Sequence, residues 1–256
     1  MTRRTNPLTE KRIVDMYNDG IGTLEIARNT NLSRPTIQAV LIRNNIYLRK
    51  TSPWKNKYDV HFFDNYTPET CYWAGFILAD GYVRPNRSCL HIKLSLKDED
   101  HLILFKNTIR YTGELHKHEN YAYINMNGKW YTDALRKNFE IVPHKTMTAH
   151  ISEKIPDKML SHFIRGYFDG DGCVTLTSTL AVSFVCGSRR LIEQLRFIFY
   201  YIGVRLKSRN IFPPICKNNT ISYSGKNASI ILDWLYTDSN ESMRMERKYK
   251  RYLELW

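Results

Sequence analysis

Two short segments of this 256-residue chain put carboxylates where they are costly unless something binds them. Tyr72-Trp73-Ala74-Gly75-Phe76-Ile77-Leu78-Ala79-Asp80-Gly81 can be laid over Phe163-Ile164-Arg165-Gly166-Tyr167-Phe168-Asp169-Gly170-Asp171-Gly172, and both contain Gly-x-x-x-small-Asp-Gly. Each segment reads as the end of a helix, so Asp80 and Asp171 fall at C-termini, where the macrodipole opposes negative charge by about 0.3–1 kcal/mol. Gly75 with Ala79, and Gly166 with Gly170, are i,i+4 pairs that lay a strip of small side chains along one face of each helix. Two such faces can form an interface with their backbones unusually close. If they pack in parallel, both carboxylates meet at one end of the seam. A bound divalent cation would offset the dipole cost and the mutual repulsion together. Carboxylate oxygens suit Mg2+, and a two-metal geometry suits in-line phosphodiester hydrolysis. One Asp-Gly after a helix would read as a turn; its recurrence on repeated units of a basic chain favours the cation. The following glycines, Gly81 and Gly172, are expected to take φ > 0 and end the helices.

The elements that must position these acids are themselves repeated. Thr67-Pro68-Glu69-Thr70 looks like a helix start, with proline at the first helical position. A helix over 70–80 is followed by an alternating strand, Cys89-Leu90-His91-Ile92-Lys93-Leu94-Ser95-Leu96, and by a helix over roughly 98–111. Tyr121-Ala122-Tyr123-Ile124-Asn125-Met126 then reads as a hairpin strand with the turn residues Asn127-Gly128, and a helix over 129–139 closes the unit. The order returns from Met159: helix 160–171, strands 173–176 and 180–185, helix 191–202, basic hairpins, a helical segment 228–236 and a last helix through 241–255. The pattern is an α+β fold of two pseudo-symmetric αββαββα repeats with antiparallel sheets, 67–158 and 159–256.

The first 48 residues differ in kind. Three helical segments, the second over 23–30 with Thr23 as its cap, lead through Asn31-Leu32 to Ser33-Arg34-Pro35-Thr36-Ile37-Gln38, where Ser33 is the N-cap and Pro35 lies in the first turn. A short helix, a tight turn and a polar-fronted helix resemble a helix-turn-helix that would present Arg34, Thr36 and Gln38 to a major groove. An ordinary three-helix docking module is the alternative. Residues 1–60 hold eleven bases and five acids, which favours DNA. Residues 49–66 read as a basic linker whose Arg49, Lys50, Lys55 and Lys57 can lie along phosphates, or simply as a solvated tether.

Composition narrows the partner. Lys and Arg number 38 against 25 Asp and Glu, a net charge of +13, with 43% hydrophobic residues. A chain so basic, without lipidation motif or apolar run of membrane-spanning length, is expected to bind nucleic acid rather than membrane. Five cysteines in an odd set, without a Cys-x-x-Cys pair, argue against a disulfide framework or zinc module. An intracellular location is therefore expected, in cytoplasm or nucleoid, in an organelle, or from a phage. From Tyr82 to Lys97 there are four bases, Arg84, Arg87, Lys93 and Lys97, and no acid. From Gln194 to Leu232 there are six, Arg196, Arg205, Lys207, Arg209, Lys217 and Lys226, again with no acid. Such placement suits sheets that contact phosphates and bases. His116 and His118, flanking Lys117, could join them or stay solvated. Most of the aromatic residues, 13% of the chain, are expected in the core.

With these residues in view, the chain over about 60–256 resembles the single-chain LAGLIDADG homing endonucleases, two motifs in one polypeptide. Trp73 and Ile164 stand where leucine is usual. The resemblance implies that Asp80 and Asp171, with the backbone of Ala79 and Gly170, bind Mg2+ (Mn2+ able to substitute) at the scissile phosphates. It implies that the motif helices form the interface between halves, and that each half offers a saddle-shaped sheet to the major groove. Pro143-His144-Lys145-Thr146 resembles the family's Pro-x-Lys-Ser/Thr element, and Glu246-Arg247-Lys248-Tyr249 falls at the matching place in the second repeat. Lys145 and Lys248 thus inherit a water-organising or charge-stabilising role, against the plainer alternative of phosphate contact or solvated surface. Lys93 aligns with a pocket-facing polar residue and Ser183 with its counterpart, so the two centres are expected to be unequal; Asp169, where the first motif has Leu78, is left secondary. The expected activity is site-specific double-strand DNA cleavage by a monomer on a long asymmetric target. The alternatives are a non-cleaving transcriptional regulator and an RNA maturase aiding intron splicing. The chain opens with Met1 and carries no splice-junction residues, so an intein-embedded form is not expected.

Overall fold

The computed structural model describes residues 5–19, 21–48, 58–85, 88–176, 178–206, 212–216 and 219–254. The chain divides into two compact units, Met1–Lys55 and Asn56–Trp256. Of the expected DNA contacts, Arg49, Lys50, Lys55, Lys57, Arg87, Lys207, Arg209 and Lys217 lie outside the described residues.

The first unit is three helices: α1 Pro7–Asn18, α2 Thr23–Thr30 and α3 Arg34–Arg43. They close over Ile13, Tyr17, Ile26, Ala27, Ile37, Val40 and Leu41. Asn6 caps α1 by accepting from the Leu8 N–H, and Ser33 caps α3 by accepting from the Thr36 N–H. Between α2 and α3 the chain turns at Asn31, whose φ of 56° suits the left-handed conformation that asparagine tolerates. Thr23 is not the cap of α2. That position is Gly22, and the Thr23 hydroxyl instead accepts from Arg34 Nε at 3.2 Å.

In the second unit the order is α4 Pro68–Asp80, β1 Gly81–Val83, β2 Cys89–Ser95, α5 Glu99–Thr108, β3 His116–Lys117, β4 Tyr121–Asn127 and α6 Lys129–Phe139. The second copy follows with α7 Leu160–Asp171, β5 Gly172–Leu176, β6 Leu180–Val185, α8 Arg189–Tyr201, β7 Thr220–Ser224, α9 Lys226–Tyr236 and α10 Glu246–Leu253. The α+β repeat is thus present twice, complete in the first copy and one strand shorter in the second among the described residues. Both sheets are antiparallel, ordered β1-β2-β4-β3 and β5-β6-β7. Alternation sorts their faces: Leu90, Ile92, Leu94, Ala122, Ile124 and Met126 go inward, as do Val174, Val182, Phe184, Ile221 and Tyr223. Among the described residues no helix is long and apolar enough to cross a membrane.

Two expectations shift. The linker ends earlier than residue 66, because Phe63 is wholly buried and Tyr58 rests against Tyr131. The Tyr66 hydroxyl donates to Asn138 O at 2.9 Å, and the Tyr131 hydroxyl to Asp59 O at 2.9 Å. The last helix is also shorter than 241–255: Arg244 is extended, and α10 starts only after Met245, whose N–H points into the core.

At the centre lie α4 and α7. Every residue of α4 from Thr70 to Leu78 is buried, as is α7 from His162 to Asp169, which is the environment of a helix enclosed on all sides. Thr67 and Thr70 form a reciprocal capping box at the start of α4. A Cβ added at Gly75 would lie 1.9 Å from Phe163 O, and one at Gly166 would lie 1.9 Å from Tyr72 O. The two contacts mirror each other, since Phe163 and Tyr72 each stand three residues before the opposite glycine. Farther along, a Cβ at Gly170 would lie 2.4 Å from the Ala79 Cβ, so the helices run parallel and in step. Gly81 and Gly172 correct the sequence expectation: their φ values are −80° and −87°, open to any residue. What they need is space, since a Cβ would come within 2.7 Å of Ile77 or 2.1 Å of Phe168.

Substitution at the seam should therefore be severe. Gly75→Ala or Gly166→Ala should lower stability by about 3 kcal/mol or more, because the new atom meets backbone that cannot turn aside. Urea unfolding monitored by circular dichroism reads this directly, and an unchanged midpoint would contradict the close approach.

Candidate active site

Asp80 and Asp171 are the last residues of α4 and α7, and the parallel seam brings them to the same end of the helix pair. Asp80 lies against Gly170, where an added Cβ would be 3.0 Å from Asp80 Oδ2. Burial first, and then the neighbouring Asp171, push the Asp80 carboxyl up to about 6, with Lys248 and Lys145 pulling the other way. Asp171 is also raised by burial and opposed by Lys145 and Lys248. The carboxylates are thus half-withdrawn from water and mutually repelling, which is the electrostatic condition a cation relieves.

Two lysines reach the same end, one from each repeat. Lys145, at the start of a single 3-10 turn (Lys145–Met147) after α6, points Nζ at Ala79 O at 3.4 Å. Lys248, in α10, points Nζ at Gly170 O at 3.4 Å and donates to Phe168 O and Gly172 O at 2.6 Å each. Ala79 and Gly170 are equivalent positions, so the contacts are a pseudo-symmetric pair with one tighter half. Burial lowers the pKa of both ammonium groups; Asp171 and Asp80 push back on Lys145, and Asp169 and then Asp80 on Lys248. By capping the C-terminal carbonyls of α7, Lys248 also offsets the dipole that disfavours Asp171.

The donor set fits a hard cation only in part as a ready-made cage. Two carboxylates and the carbonyls of Ala79 and Gly170, each with a second lone pair, are suitable oxygen donors for Mg2+. Among the described residues no group of three or more His, Cys, Asp or Glu converges. The remaining coordination positions would therefore fall to water and to substrate oxygens, as is usual for Mg2+ at phosphates.

The sheets carry the other expected residues. Lys93 is exposed on the outer face, with Nζ 3.9 Å from the Tyr121 ring. Arg84, after β1, is half-buried, and Lys226 is exposed at the start of α9. Arg205 is less free than expected: its guanidinium donates to Tyr200 O and Val204 O and lies over the Tyr200 ring. In the first unit Arg34 is exposed, while Thr36 and Gln38 are half-buried.

The register corrects one alignment. Gly81 pairs with Ile92 and Gly172 with Phe184, so Lys93 corresponds to exposed Val185, and Ser183 to His91. Sequence reasoning passed over His91, Tyr121, Tyr123 and Asn125, which share the outer face with Lys93. His91 Nδ1 lies 2.8 Å from Asn125 Oδ1, and His116 stacks on Tyr123. The signal was present in the period-2 alternation of both strands. The outer face of the second sheet is small instead: Cys173, Thr175, Ala181, Ser183, Ser222 and Ser224.

Asp80 should cost stability at neutral pH. Its carboxyl ionises near 4 when unfolded and at about 6 when folded, so the fold holds the proton more tightly and loses stability as pH rises through that interval. Asp80→Asn should therefore be more stable than the parent at pH 7, by up to about 3 kcal/mol, with the gap closing below about pH 4. Mg2+ should raise the parent's Tm and not that of Asp80→Asn. Melting curves across pH, with and without Mg2+, decide it.

Residues 158–232 match a family model described as a LAGLIDADG-like domain. No curated protein matches the chain. Among solved structures, the chain is similar to the LAGLIDADG homing endonuclease I-GzeII in complex with DNA target, at 14% identity and TM-score 0.45, over 74% of this chain and 88% of that one. It is similar to I-CpaMI bound to uncleaved DNA at 10% identity and TM-score 0.43, over 75% and 90%. It is also similar to I-SmaMI bound to cleaved DNA at 10% identity and TM-score 0.45, over 74% and 87%.

Proposed function

We propose that this chain, whose residues 158–232 match a family model described as a LAGLIDADG-like domain, is a divalent-cation-dependent, site-specific endonuclease for double-stranded DNA. The reading rests above all on the meeting of Asp80 and Asp171, partly desolvated, at one end of a helix seam with half-buried Lys145 beside one and buried Lys248 beside the other. A net charge of +13 and two outward-facing antiparallel sheets support DNA as the substrate.

In this reading the carboxylates and the carbonyls of Ala79 and Gly170 hold Mg2+, or Mn2+ in its place. When bound there, such a cation would supply Lewis acidity and charge neutralisation at the scissile phosphate. Lys145 and Lys248 place positive charge where negative charge grows as water attacks phosphorus and the sugar oxygen leaves. The outer faces read different sequences: His91, Lys93, Tyr123 and Asn125 offer donors and acceptors on one side, whereas serines, a threonine and an alanine allow close approach on the other. Unequal faces suit an asymmetric target. Residues 1–48, through Arg34, Thr36 and Gln38, extend the contact beyond the cut site.

Asp80→Asn or Asp171→Asn should abolish double-strand cleavage, leaving a nick at most, while DNA affinity stays within roughly tenfold because phosphate contacts dominate it. Full cleavage by either variant would overturn the assignment, and binding without cleavage by the parent protein would return the regulator reading. A chain starting at Tyr58 should cut at the same position but protect less DNA on one side. Its affinity should also fall less steeply with salt. Footprints of equal length for the two proteins would instead favour a docking role for the first unit.

A further inference from the structure

Asp169 stands where the first repeat has Leu78, one position before the small residue of the motif. Leu78 is buried among apolar neighbours, and Asp169 is equally buried at 1% exposure. A buried carboxylate is costly unless its oxygens are satisfied. Here they are: Oδ2 accepts from the Tyr72 hydroxyl at 2.8 Å and the Met245 N–H at 2.7 Å, and Oδ1 accepts from the Tyr236 hydroxyl at 2.8 Å. The donors come from α4, from α9 and from the residue that opens α10, so one side chain ties three elements to α7.

A second buried group acts on the same segment. Arg165, one turn earlier on α7, donates to Met243 O and Leu235 O, each at 2.6 Å, and lies 2.8 Å from His162 Nδ1. The chain entering α10 is therefore held at Met243 O by Arg165 and at Met245 N by Asp169. Three residues later, Lys248 makes its contacts with Phe168 O, Gly170 O and Gly172 O. The equivalent half is built without this device. With Leu78 in place of the acid, Lys145 opens a single 3-10 turn, Lys145–Met147, and makes one contact, at 3.4 Å, with Ala79 O.

We propose that Asp169 is a positioning residue: it fixes the start of α10 and so delivers Lys248 to the carboxylate pair, making the second repeat's cation rigid where the first repeat's Lys145 is adjustable. This rests on the role given to Lys248 above, so the test reads position and chemistry separately.

Position is read by acylating surface lysines of the full chain and following Lys145 and Lys248 by mass spectrometry. In Asp169→Leu, which copies the first repeat, Lys248 should react at least roughly tenfold faster as its segment opens, with Lys145 unchanged. Asp169→Asn keeps a carbonyl for the Met245 N–H and an amide that can meet a tyrosine oxygen, and should leave Lys248 protected to within about twofold. Chemistry is read by single-turnover cleavage at saturating protein: Asp169→Leu should slow the step roughly tenfold with DNA affinity unchanged, as expected for a misplaced group. In a Lys248→Met background the same substitution should have no further effect on rate. Should Asp169→Leu not fold, Tyr236→Phe, which removes a donor to Oδ1 and keeps the ring, should still raise Lys248 reactivity. Unchanged Lys248 reactivity in the folded variant overturns the positioning role. Raised reactivity with an undiminished cleavage rate instead overturns the chemical role of Lys248 and leaves the positioning intact.

Discussion

The approach of two helix backbones at Gly75 and Gly166 is the constraint on which the second unit depends. Each glycine faces the carbonyl of a residue one turn before its counterpart, at a distance no side chain could occupy. Because the two contacts are mirror images, they set the helices parallel and level, and level helices have level ends. The acids are thus paired by packing rather than by any attraction between them. The sheets depend on the same seam: β1 begins at Gly81 and β5 at Gly172, directly after the acids, so the helix pair aims both sheets and both carboxylates at once.

Bringing like charges together at helix C-termini, partly out of water, is unfavourable in three ways: dipole, repulsion and desolvation. The fold answers with Lys145 and Lys248, whose own burial is unfavourable too. The result is a cluster of four charged groups, each shifted toward neutrality and held by the surrounding core. Such a cluster is stabilised further by a ligand that adds positive charge between the carboxylates. Shifted ionisable groups gathered at one end of an otherwise well-packed seam support the active site proposed above.

Pseudo-symmetry stops short of equivalence. The seam glycines and the lysine contacts repeat across the two halves, but Leu78 is answered by Asp169, His91 by Ser183 and Lys93 by Val185. Tandem duplication within one chain allows this, because each copy can diverge without its substitution appearing in both halves, as it would in a dimer of identical subunits. One half carries the polar, aromatic sheet; the other carries the buried network that anchors α10.

The doubled Gly-x-x-x-small-Asp-Gly, the helix starts marked by Thr67-Pro68 and Ser33-x-Pro35, and the alternation of both sheets were legible in the chain because they are local. Periodicity, capping and glycine spacing act within a few residues, so the α+β repeat, the seam and the acid pair follow from them. The end of the linker, the split of the last helix, the true counterpart of Lys93 and the use made of Asp169 were not legible. Three depend on partners far along the chain: Phe63 on α6, Met245 on α7, and two tyrosines separated from Asp169 by 97 and 67 residues; the counterpart of Lys93 depends on the exact register of two hairpins, β1 with β2 and β5 with β6, which alternation alone does not fix. A buried carboxylate looks like any other aspartate until its donors are known, because the energy that makes it tolerable is supplied entirely by groups that folding brings to it.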